Sequence, residues 1–136
     1  MKSRNKSLIR LKKFQVDEKR RQVTQIEMMI ADFERMAAEL DQQIEIEHQK
    51  TGISDVAHFA YSTFAKAARA RRDNLLNSAE NMRGQLEAAQ DALAEAIEEL
   101  KKIELLDQRE HLREAAAEAK AEQAEFDEIG LRRHGN

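Results

Sequence analysis

Residues 9 to 44 read IRLKKFQVDEKRRQVTQIEMMIADFERMAAELDQQI, and this stretch decides the fold. Alternating steps of three and four through it pick out Ile9, Lys12, Val16, Lys19, Val23, Ile26, Ile30, Phe33, Ala37, Leu40 and Ile44. Nine of these eleven are apolar. A repeat averaging about 3.5 residues gives a narrow stripe that stays on a partner helix only if the two supercoil. The pattern therefore predicts a coiled-coil seam, not the broad apolar face of a globular helix. Helix one is expected over about 4–48.

Downstream, the run QKTGISD (49–55) breaks the stripe. Gly52 is a helix terminator, and Ser54 or Asp55 is suited to cap a new N-terminus. The reading is a tight turn over 49–54 and a second helix over about 55–128. Periodicity resumes with Phe59, Phe64, Ala68, Leu75, Ala79, Met82, Leu86, Ala89, Leu93, Ala96, Leu100 and Ile103. A reversal near residue 51 makes facing positions add to roughly 103 in an antiparallel pair. That register sets Ile44 against Phe59, Leu40 against Phe64, Ile26 beside Leu75 and Leu76, and Ile9 against Leu93. Charge agrees with antiparallel pairing, since residues 1–25 hold nine Lys or Arg against two acids and residues 79–128 hold fifteen acids against six bases.

Composition points the same way. Of 136 residues 36% are charged and 4% aromatic, with no proline and four glycines. Such a chain lacks the turn residues that a set of short strands needs. Its apolar residues include 21 alanines, and the 35 larger ones are enough for a seam but thin for a globule. The expected architecture is an all-α antiparallel two-helix hairpin forming a single coiled-coil domain. The C-terminal part of helix two should overhang, with a flexible tail at 129–136. Beyond Asp107 the chain is rich in Ala and Glu, good helix formers with little to bury.

The same features exclude most chemistry. There is no cysteine for a disulfide, thiolate site or nucleophile. No phosphate-binding loop, HExxH or GxSxG motif occurs. His48, His58, His111 and His134 are scattered. A two-helix seam offers no enclosed pocket, so neither a catalytic nor a metal site nor a cofactor is expected. The opening MKSRNKSLIRLKKF is basic but has no long apolar run, and no 18-residue apolar stretch follows. A soluble cytoplasmic protein is the expectation.

Two surfaces stand out as candidates for partner binding. In the first, Lys12 and Lys19 occupy seam positions, flanked by Leu8, Leu11 and Phe14, an apolar strip that either docks a third partner or covers the overhang of helix two folded back. In the second, residues 57–75 place Phe59, Tyr61 and Phe64 before Lys66, Arg69, Arg71 and Arg72. Aromatic and Arg side chains are favoured interface anchors. Here Phe59 and Phe64 are expected to close the seam, leaving Tyr61 and the cations exposed. The basic stretch from Lys2 to Arg21 also fits phosphate binding, yet it has only Phe14 as a stacking platform in a chain of net charge −3. Pairing with the acidic second helix is its ordinary role, and no nucleic-acid partner is expected.

SLIRLKKFQVDEKRRQV (7–23), IEMMIADFERMAAELDQQI (26–44) and RARRDNL (69–75) together resemble the FliJ family of flagellated α-proteobacteria. The likeness implies a soluble component of the flagellar type III export apparatus, serving motility. It implies an antiparallel coiled coil similar to the central-stalk γ subunit of rotary ATPases, without an active site. Its partners would be the hexameric flagellar export ATPase, the export gate protein FlhA, and export chaperones or substrates. The protein would be cytoplasmic and at most peripherally associated with the membrane export apparatus.

Overall fold

In a computed structural model of the chain, residues 2–134 are described, with side chains from residue 5 onward. Two long helices pack against each other: α1 spans Lys2–Thr51 and α2 spans Thr63–His134. No strand occurs among the described residues. The all-α two-helix hairpin predicted from periodicity is the fold.

Every α1 stripe residue from Ile9 to Ile44 is buried or half-buried, Lys12 and Lys19 included. On α2 the covered positions run Ala65, Ala68, Arg72, Leu75, Ala79, Met82, Leu86, Ala89, Leu93, Ala96, Leu100 and Ile103, again in steps of three and four. Their residue numbers match across the seam when they add to 112, as for Ile30 with Met82 or Ile9 with Ile103. The cross-helix polar pairs centre on the same value, from 109 for Glu47 with Ser62 to 117 for Glu34 with Arg83.

The predicted register near 103 is thus displaced by about nine residues. Ile26 packs with Phe33 and Leu86 around the buried trio Ile30, Ala79 and Met82, not beside Leu75 and Leu76. Ile9 lies level with Ile103, not Leu93. Phe59 is 97% exposed and Phe64 54%, so neither closes the seam against Ile44 and Leu40. Ala65, fully buried, holds the position expected of Phe64.

The displacement originates in the connection, which occupies residues 52–62 and not 49–54. Gly52 ends α1 with a φ of 70°, and its N–H donates to the His48 carbonyl at 2.8 Å, a left-handed cap that favours glycine. Asp55 does not cap α2. Its carboxylate accepts from the Ala57 N–H at 3.0 Å and its carbonyl from the His58 N–H at 3.1 Å, folding a turn. Ser62 is the cap, since its Oγ accepts from the Ala65 N–H at 3.2 Å. Helix two therefore begins at Thr63 and not near 55. It continues through 129–134, where a flexible tail is expected, with Gly130 inside the helix and not at its end. Gly135 and Asn136, the rest of that tail, lie outside the described residues.

The contacts divide the chain into two compact units, Asp17–Ala94 and the pairing of Met1–Val16 with Glu95–Asn136. The first, here the closed unit, contains eight of the nine buried apolar residues: Val23, Ile30, Ala37, Ile44, Ala65, Ala68, Ala79 and Met82. The second, the open unit, contains one, Val16. Within the open unit, residues 115–129 of α2 are exposed without interruption. Asn5 of α1 bonds Glu110 of α2, ahead of that stretch.

Candidate functional site

At the connection, the last turn of α1 and the start of α2 are tied by two side-chain bonds. Tyr61 OH lies 2.7 Å from His48 Nε2, and Ser62 Oγ donates to Glu47 Oε1 at 2.9 Å. Ser62 thus caps α2 and grips α1 with one hydroxyl. These bonds fix the loop, and the fixed loop holds Phe59 out in solvent, stacked on the His58 ring at 4.7 Å. Val56, Phe64 and Ile46 are exposed in the same unit. An open groove lined by Gln43, Ile46, Glu47, Lys50 and Phe64 joins the start of α2 to the end of α1.

The cations that follow Phe64 divide by their place on the helix. Lys66 and Arg71 are exposed, and Arg71 lines a groove with Met36, Glu39, Leu40, Gln43 and Leu75. Arg69 is half-buried. Arg72 falls on the seam, where it bonds Asp41 at 2.9 Å and Asp73 at 3.0 Å. Its pKa is raised above its already high ordinary value, first by the bond to Asp41 and then by that to Asp73. Tyr61, expected as an exposed anchor, is half-buried against His48, with ring centroids 5.5 Å apart. Tyr61 and Arg72 therefore hold the hairpin together, and the side chains offered to solvent are Phe59, Phe64, Lys66 and Arg71.

The open unit presents the second surface. Leu8, Leu11 and Phe14 are 36%, 49% and 57% exposed. They lie off the covered stripe, as their positions between Asn5, Ile9, Lys12 and Val16 require. Lys12 stays within the seam, with Nζ donating to Glu99 Oε2 at 3.0 Å. Lys19, in the closed unit, is half-buried on the same stripe. The side chains of Lys2 and Arg4, part of the basic opening, lie outside the described residues. On α2, Leu105, Leu106 and Leu112 are exposed. One open groove is lined by Ile9, Lys13, Glu104, Asp107, Gln108, His111 and Leu112. His111 Nε2 lies 3.4 Å from Asp107 Oδ2, an exposed helical neighbour pair.

Leu105, Leu106, Leu112 and Ile46 were not among the residues singled out from sequence, and Phe59 was expected to close the seam. The signal for the leucines was present: the stripe runs through Ile103, Asp107 and Glu110, so large apolar residues at 105, 106 and 112 fall outside it.

Fold and surface together define a class: a coiled-coil hairpin whose outward chemistry is apolar side chains edged with cations, suited to holding other proteins. The family model described as flagellar FliJ protein matches residues 1–136, and the chain belongs to that family. It is accordingly a flagellar protein-export component, of a family that is non-catalytic. No curated protein and no solved structure matches the chain. No helix among the described residues is long and apolar enough to cross a membrane.

Proposed function

We propose that this protein couples the flagellar export ATPase to the export gate protein FlhA and assists delivery of export substrates and their chaperones. It would do so as a cytoplasmic, stalk-like coiled coil peripherally associated with the membrane apparatus. The observation that carries the reading is that each unit has its own exposed apolar surface with cations beside it. One is Phe59, Phe64, Lys66 and Arg71; the other is Leu8, Leu11 and Phe14 beside Lys6, Arg10 and Lys13. A protein that links two others needs two such faces, and a paired seam between helices supplies stiffness without an active site. The opening SLIRLKKFQVDEKRRQV supports the α-proteobacterial type of the family.

The test is co-purification with the export ATPase and with the cytoplasmic part of the gate protein. Two variants are compared, Phe59→Asp with Phe64→Asp, and Leu8→Asp with Leu11→Asp. Each is expected to lose one partner and keep the other, with about 30-fold weaker binding for roughly 2 kcal/mol at an anchor. Retention of both partners by both variants refutes the reading, as does normal swimming of a strain deleted for the gene.

A further inference from the structure

The open unit bears two exposed faces of opposite character. On α1, Leu8, Leu11 and Phe14 stand among Lys6, Arg10 and Lys13. On the overhanging part of α2, Phe126 and Ile129 are 69% and 47% exposed on one face among Glu118, Glu122 and Glu125, and Glu128 beside them pairs with Arg132 at 3.0 Å. Lys6 and Arg10 are exposed and make no ion pair among the described residues, and the same holds for Glu122 and Glu125. The overhang cannot fold back on its own α1, because α2 is one unbroken helix from Thr63 to His134. A second molecule is required to bring the two faces together.

We propose that, when no export partner holds Leu8, Leu11 and Phe14, this occupant is a second copy of the chain, bound through a reciprocal contact in which each copy lays its overhang along the other's open unit. An interface with two-fold symmetry has to be complementary to itself, and a unit carrying both a basic and an acidic apolar face meets that condition. The geometry fixes a register. An overhang running antiparallel to the partner's α2 runs parallel to the partner's α1. Setting Phe126 level with the partner's Leu8 then sets Ile129 level with the partner's Leu11, because both pairs are three residues apart. The same offset brings Glu128 level with the partner's Arg10 and Glu125 within one residue of the level of the partner's Lys6. At the far end it brings Arg132 level with the partner's Glu98, by the seam register in which paired numbers add to 112. Two apolar pairs then stand level, and the acidic run of the overhang lies alongside the basic run of the partner's α1. The overhang offers 20 residues, Ala115–His134, from each copy, the scale of one side of a standard protein interface.

The full chain is to be measured by sedimentation or light scattering across a dilution series at low and high salt. At low salt the mass is expected to reach twice the 15.7 kDa of one chain, and added salt or dilution should return it to a single chain. Two charge-reversal variants sharpen the test, Glu125→Lys with Glu128→Lys, and Lys6→Glu with Arg10→Glu. Each alone should stay monomeric with unchanged helicity, since its two faces then repel. Mixed together they should form a heterodimer, because every reversed face meets its complement. A single-chain mass at all concentrations overturns the proposal, as do dimers formed by either variant alone or a mixture that stays monomeric.

Discussion

The closed and open units share one sequence rhythm and differ in what stands on it. In residues 17–94 the stripe carries Val23, Ile30, Ala37, Ile44, Ala65, Ala68, Ala79 and Met82, all buried. Fully burying a Val or Ile side chain contributes about 1.5 to 3 kcal/mol, so this stretch is held by its seam. Alanines at 37, 65, 68 and 79 let the helices approach closely, which is why small side chains there count as core. In the open unit the corresponding described positions are Asn5, Ile9, Lys12 and Val16 on α1 and Ala96, Leu100, Ile103, Asp107 and Glu110 on α2, of which Val16 alone is buried. Polar residues, Asn5, Lys12, Asp107 and Glu110, share that stripe with Ile9, Leu100 and Ile103, while Leu8, Leu11, Phe14, Leu105 and Leu112 stand exposed on its flanks. The same heptad spacing closes a structure when big side chains sit on the stripe, and makes a surface for other molecules when they sit beside it.

Ile30→Asp should break the contrast most severely. It buries an unpaired charge beside Ala79 and Met82, and a loss of about 3 to 5 kcal/mol is expected in urea denaturation followed by circular dichroism. Leu11→Asp, on a half-exposed flank, should change stability by no more than about 0.5 kcal/mol. Equal losses for the two would refute the distinction between seam and flank.

Ala65→Leu comes next. With a fully buried Ala65, the added volume forces the helices apart at a cost of about 1 to 3 kcal/mol, whereas Ala117→Leu on the exposed overhang should leave the melting profile nearly unmoved. Two glycines give the smallest effects and opposite signs. At Gly52 the φ of 70° makes Gly52→Ala destabilising by about 1 kcal/mol. At Gly84, inside α2 with nothing within 4 Å of an added Cβ, Gly84→Ala should stabilise by about 0.5 to 1 kcal/mol. Thermal melts of both proteins check the signs, and a shared sign would show that the loop cap is not formed as described.

The exposed candidate surfaces were only partly legible in the sequence. Leu8, Leu11 and Phe14 could be recognised as flanking the stripe because flank and stripe are both local properties of one helix. Tyr61 and Arg72 were misassigned as free because what they touch, His48 and Asp41, depends on which part of α1 the chain returns to. Phe59 was misassigned to the seam because it was placed in a helix that begins four residues later, at Thr63.

By itself the sequence determined that there are two helices, which faces of them pair, and that they run antiparallel. Those features follow from a short-range periodicity and from charge blocks that any register roughly preserves. Only the tertiary structure decided the register. Stripes of the same spacing set apolar against apolar in more than one register, so the pattern alone does not choose between registers near 103 and near 112. The choice between them was made by an eleven-residue connection, 52–62, whose capping and strapping bonds at Gly52, Asp55, Tyr61 and Ser62 fix where the second helix starts.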